Sequence, residues 1–261
     1  MSFLLYLAVG AAAGILAGLF GIGGGMVIVP VLIFSLAAQG VPAEVLTHMA
    51  VATSLTTIVF TSFSSVKEHH ANGAIDWMLV RQMATGIVIG TALGVALITE
   101  VPGETLQTII GVFALLLSVK MFSGWEPPGQ GDKPGQAGLL TAGGIIGFGS
   151  SWFGIGGGTF TVPYLTWMRF SMRQAVATSA ACGIPIAATG AVANIVAGWQ
   201  HDGLPLWSTG FVYWPAVAGI ALTSVPFARV GARLAHKLNA GLLKKLFAVL
   251  LCVVGIRFIF F

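Results

Sequence analysis

Apolar residues run through this chain in long blocks separated by short polar breaks, from its first residues to its last. Blocks at 46–66, 77–99, 106–122, 176–199, 211–229 and 242–261 are each close to the roughly 20 residues that cross a bilayer as a helix. Two further stretches, 3–38 and 137–168, are too long for one span, and a glycine cluster interrupts each. The pattern predicts an all-α polytopic membrane protein with two unusual, glycine-broken helical hairpins. Residues 3–20 lack a basic leader and run into glycine-rich sequence instead of a cleavage site, so they are expected to be retained structure and not a signal.

The two halves echo one another. Phe20-Gly21-Ile22-Gly23-Gly24-Gly25 returns as Phe153-Gly154-Ile155-Gly156-Gly157-Gly158, and Val29-Pro30 returns at the same offset as Val162-Pro163. Ala50-Val51-Ala52-Thr53-Ser54 returns as Ala175-Val176-Ala177-Thr178-Ser179, and a fainter echo sets Gly73 and Trp77 against Gly203 and Trp207. Between them, Pro127, Pro128 and Pro134 mark an exposed connector. The expected organisation is a first membrane repeat at 1–122, a polar connector at 123–136 and a second repeat at 137–261. Each repeat holds one broken hairpin plus three to four transmembrane helices.

Composition sharpens the class. Hydrophobic residues make up 56% of the chain and charged residues 8%, against about 25% charge in a soluble domain. The net charge of +4 comes from Lys and Arg in short loops beside apolar blocks, which reads as membrane topology and not as nucleic-acid binding. If each broken stretch enters and leaves on one side, 11 of the 12 basic residues share a side and only Arg257 lies opposite. If each stretch crosses once, the division is 5 against 7. The positive-inside bias selects the first arrangement, which gives the repeats inverted topology, a recurring plan of secondary transporters.

Candidate chemistry then falls mostly on neutral groups. A helix broken inside a membrane leaves first-turn N–H groups and a positive dipole end that favour an anion. Gly23, Gly24 and Gly25, with Gly156, Gly157 and Gly158, are therefore candidate substrate cradles. Close helix packing is the other reading of such glycines, and it is assigned to Gly10, Gly14, Gly18, Gly86, Gly90 and Gly94. Thr53, Ser54, Thr178 and Ser179 are candidate hydroxyl donors, or bond their own helix carbonyls. Asn194 is a candidate ligand or interhelical glue. His48 and Arg173 stand at matching positions and are candidate entrance residues, or interfacial anchors. No metal or cofactor is expected: His69 and His70 are adjacent and face apart on a helix, and Cys182 and Cys252 lie in separate apolar runs. The glycine run lacks the βαβ setting of a dinucleotide site. All eight acids fall in loops or at span ends, which disfavours a buried proton relay or cation site.

The paired glycine segments followed by Val-Pro, with the paired Ala-Thr-Ser segments, resemble the TauE/SafE family of sulfite and organosulfonate exporters along nearly the whole chain. The resemblance implies export of a small sulfur-containing anion across the bacterial cytoplasmic membrane by a multi-pass protein. Motif positions carried over are Gly23, Gly24, Gly25 and Pro30, with Gly156, Gly157, Gly158 and Pro163. Expected partners are a small anionic substrate and membrane lipid. An anion channel or a permease for another small organic anion, a membrane enzyme and an assembly subunit are the rival readings, and the enzyme would need a reactive cluster that the spans lack.

Overall fold

The computed structural model describes residues 2–20, 24–123, 134–199, 201, 203–235 and 240–260. Gly23, Lys133, Lys237 and most of the connector lie outside the described residues. Among the described residues the chain is all-α apart from one small hairpin. Its helices are α1 (Ser2–Phe20), α2 (Gly25–Ala37), α3 (Ala43–Ala71), α4 (Trp77–Ile98), α5 (Gly103–Ser123), α6 (Gln136–Trp152), α7 (Gly158–Trp167), α8 (Met172–Ala197), α9 (Trp214–Ala235) and α10 (Ala240–Phe260). Among the described residues α3, α4, α5 and α8 are long and apolar enough to cross a membrane, and α1, α2, α9 and α10 contain shorter apolar helices. Leu116, Ile145, Val192, Leu222 and Val253 are exposed on the outer faces, as side chains covered by lipid would be. This is a multi-pass membrane protein.

Helix boundaries follow local chemistry. The Asp76 side chain accepts from the Leu79 amide at 2.9 Å and starts α4, while Ser171 and Gln174 form a reciprocal capping box on α8. Glycines make both breaks. Gly24 sits at φ 49° immediately before α2, and Gly154 at φ 60° between α6 and α7, a region that a Cβ disfavours. At about 1.5 Å per residue, the 13 residues of α2 and the 10 of α7 are too short to cross a hydrocarbon core of about 30 Å. Each broken stretch is thus a longer helix followed by a half-helix. Tyr6 near the start of α1 accepts from Gln39 Nε2, just past the end of α2, at 2.7 Å. The first hairpin therefore begins and ends at the same level.

Packing exchanges helices between α1–α5 and α6–α10. The main pairs are α1 with α9, α4 with α6, α5 with α10, and α3 with α8; α4 also meets α8, and α3 meets α9. Swapping the two sets turns this list into itself. Glycine seams set the direction of each pair. Gly86 lies against Leu140 and Gly144, and Gly94 against Phe148 and Ser151, so α4 and α6 run parallel. Gly10 meets Ile220 and Gly14 meets Ser224, so α1 and α9 also run parallel. By contrast Gly190 meets Leu55 and Gly183 meets Ser62, so α3 and α8 are antiparallel. In the last pair Ser118 donates to the Ala248 carbonyl at 2.8 Å while Gly111 meets Gly255 and Phe258, which makes α5 and α10 antiparallel.

One expected span starts in the wrong place. Its opening residues form β2 (Val212–Tyr213), paired antiparallel with β1 (Ser208–Thr209) around Gly210, whose φ is 54°. The helix begins only at Trp214, so Trp214 and not Trp207 takes the place that Trp77 holds at the start of α4.

Candidate functional site

The two glycine breaks meet at the middle of the packed helices. A Cβ on Gly25 would stand 2.5 Å from the Gly154 carbonyl oxygen and 3.0 Å from Ile155 Cα, so the start of α2 lies directly against the second break. Ile58 of α3 closes this junction from one side, beneath both Gly25 and Gly156. Ser54 Oγ donates to the Gly154 carbonyl at 2.7 Å and pins the second break to α3. Gly157 faces α8, where a Cβ would stand 2.6 Å from the Ser179 carbonyl oxygen. Neither Gly24 nor Gly157 is joined by a side-chain cap, and first-turn amides of a helix have no intrahelical partner. Two uncapped half-helix starts therefore lie near each other in the protein interior.

The predicted hydroxyls are all buried, but each has a structural partner. Thr53 Oγ1 accepts from the Tyr213 amide, at the entry to α9, at 3.0 Å. Its counterpart Thr178 accepts from the Asp76 amide, at the entry to α4, at 3.1 Å. The repeated threonines thus latch the fourth helix of the opposite set, in reciprocal positions. Ser179 donates to the Val176 carbonyl at 2.9 Å within α8. Asn194 donates to Gly190 at 2.8 Å, and its unpaired atom is the amide oxygen, an acceptor of the wrong polarity for an anion.

The matching entrance positions differ. Arg173 is exposed and reaches the Asn72 carbonyl at 3.4 Å. His48 is 4% exposed, with Nε2 at 2.9 Å from the Ile98 carbonyl and Nδ1 at 3.2 Å from that of Glu44. It fastens the start of α3 to the end of α4, its ring tilted against Phe211 with centroids 5.5 Å apart, and does not line an open entrance. Near that end lies a polar cluster that the sequence reading missed. Gln39 donates to Tyr6 and accepts from Tyr213 at 3.3 Å. Also missed were the unpaired hydroxyls of Ser150, Thr159 and Thr161 at the second break. Comparing the repeats could have found them, because the first break has apolar residues there.

Among the described residues no Lys, Arg, Asp or Glu is buried, and no group of His, Cys, Asp and Glu could hold a metal ion. A cavity of about 20 Å³ beside the breaks is lined by Met26, Val29, Phe113, Phe153, Ile155 and further apolar residues. Lacking polar lining groups, it is no anion site.

A bundle of membrane helices with paired, glycine-broken half-helices also matches a known family along its length. The model described as "Sulfite exporter TauE/SafE" covers residues 6–258. The chain belongs to the TauE/SafE family. Its relatives include a "Probable membrane transporter protein" of Haemophilus influenzae, 41% identical over 97% of both chains. Another of that description, from Methanocaldococcus jannaschii, is 26% identical over 97% of this chain and 93% of its own. YunE of Bacillus subtilis, a probable membrane transporter protein, is 26% identical over 100% of this chain and 98% of its own. No solved structure matches. This TauE/SafE protein is accordingly a membrane transporter and not an enzyme.

The reciprocal latches make a testable demand on the TauE/SafE fold. Thr53→Val or Thr178→Val leaves the Tyr213 or Asp76 amide without its partner, and an unsatisfied buried donor costs about 1–3 kcal/mol. Thermal unfolding in detergent should show both variants destabilised by similar amounts. An unchanged Tm in either would mean that its hydrogen bond is dispensable.

Proposed function

We propose that this protein is a secondary transporter that exports a small sulfur-containing anion, such as sulfite or an organosulfonate, across the bacterial cytoplasmic membrane by alternating access. The observation that carries the reading is the meeting of two uncapped half-helix starts, at Gly25 and Gly154–Gly158, within an interior that buries no carboxylate, Lys or Arg among the described residues. Partly positive helix ends and neutral donors suit an anion and offer nothing to a cation. Such midplane sites between broken helices are a recurring transporter plan. The family description supports the substrate class.

The proposal includes inverted topology. It is supported by the antiparallel course of α3 against α8 and of α5 against α10, each pairing elements that the sequence repeat makes equivalent. Single cysteines beside Lys67, Arg169 and Lys237 are expected to react with impermeant reagents from the cytoplasmic side only. Labelling of the Arg169 site from outside would sink the inverted arrangement.

Binding of sulfite, sulfonates, sulfate and carboxylates to purified protein, followed by counterflow of the bound anion in liposomes, tests the function. Saturable counterflow by the protein alone is the expected result. Large unitary currents would make it a channel, and failure to transport without another subunit would make it an assembly component.

A further inference from the structure

The unpaired polar atoms of the interior are unevenly shared between the two breaks. Ser150 Oγ in the last turn of α6, and Thr159 and Thr161 Oγ1 in the first turns of α7, have no hydrogen-bond partner, and neither has Trp152 Nε1. Ser150 and Thr161 are fully buried and Thr159 is 9% exposed. Buried polar groups are normally satisfied, and an orphan is costly enough to need a reason. The Thr161 hydroxyl oxygen is 3.4 Å from where a Cβ on Gly157 would stand, beside the uncapped start of α7. All four groups carry a hydrogen to donate. At the repeat offset, the first break has Ala17, Leu19, Met26 and Ile28 instead.

We infer that the second break alone forms the oxyanion subsite. The hydroxyls of Ser150, Thr159 and Thr161 and the first-turn amides of α7 hold the oxygen atoms of a singly charged head group such as a sulfonate. The inference rests on the transporter reading above and narrows it, since that reading used both breaks and the hydroxyls of Thr53, Ser54, Thr178 and Ser179. Ser54 and Ser179 already donate their hydrogens to protein carbonyls, and Thr53 and Thr178 are held as acceptors by backbone amides, whereas the three at the second break have no protein partner of either kind. Single charge follows from the donor set. Neutral hydroxyls and a helix end worth about half an elementary charge offset one negative charge, and with no buried Lys or Arg among the described residues a dianion would stay under-compensated.

The test is calorimetric titration of methanesulfonate and sulfate into the purified full chain, with thermal unfolding of each variant. Wild type is expected to bind methanesulfonate at least about tenfold more tightly than sulfate. Thr159→Val and Thr161→Val should each weaken methanesulfonate binding about ten- to a hundredfold, the worth of a hydrogen bond to a charged ligand, while Tm holds or rises because an orphan hydroxyl has been removed. Thr161→Ser should restore affinity, and Met26→Leu at the first break should leave it unchanged. Wild-type affinity in Thr159→Val, Thr161→Val and Ser150→Ala would overturn the subsite and leave the transporter reading standing. Affinity lost together with Tm and not rescued by Thr161→Ser would also overturn it, as would equal loss in Met26→Leu or tighter binding of sulfate. Wild type that binds neither these anions nor sulfite would bring down both readings.

Discussion

Gly90→Ala is expected to destabilise the protein by about 3 kcal/mol or more, at the upper end of what overpacking costs. The new methyl would land inside the Gly144 carbonyl of α6, which is backbone and cannot swing away. The parallel α4 and α6 would have to separate along a seam where Gly86, Gly143 and Gly147 also allow backbone contact. Gly14→Ala makes the same test on α1, where Ser224 of α9 stands in the way. Thermal unfolding in detergent reads the effect, and an unchanged Tm for both variants would mean that the seams are looser than described.

Gly157→Ala should act on binding. Its methyl would meet the Ser179 carbonyl oxygen at 2.6 Å and push the start of α7 away from α8, displacing the amides proposed to face the anion. Affinity is expected to fall about ten- to a hundredfold, as for loss of one hydrogen bond to a charged ligand. Gly24→Ala works by another route. There the nearest atoms lie at 3.5 Å, so the methyl has room, and the cost is the left-handed φ of 49°, about 1–2 kcal/mol for a residue with a Cβ. Binding isotherms on well-folded protein separate the outcomes. Gly24→Ala is expected to lower stability and leave affinity near wild type, whereas unchanged affinity in Gly157→Ala would make the second break a packing device and move the site elsewhere.

Much of the fold was legible because a bilayer forces long apolar helices, and because glycine clusters are the cheapest way to break one. The stretches 3–38 and 137–168 divide at their glycines into α1 with α2 and α6 with α7. The start of α9 was less legible, since Phe211, Val212 and Tyr213 are as apolar in a strand as in a helix, and hydropathy does not distinguish them. Side-chain roles were harder still. Whether the Thr53 hydroxyl is free depends on an amide 160 residues away, and whether His48 is an entrance depends on the carbonyl at the end of α4. Sequence spacing does not contain those distances. The unpaired donors at the second break were legible only by contrast, through apolar residues at the matching positions of the first.

The exchange of helices, α1 against α9 and α6 against α4, has an evolutionary consequence. On the inverted topology proposed above, a lone ancestor with five helices would have left its glycine seams facing lipid, and could have closed them only on a second copy inserted upside down. Gene duplication would then have fixed an obligate pair whose two members had already been selected to insert in opposite senses. Separate genes for residues 1–123 and 134–261 should therefore yield fragments that are degraded alone and co-purify when made together, and a stable lone fragment would refute that history.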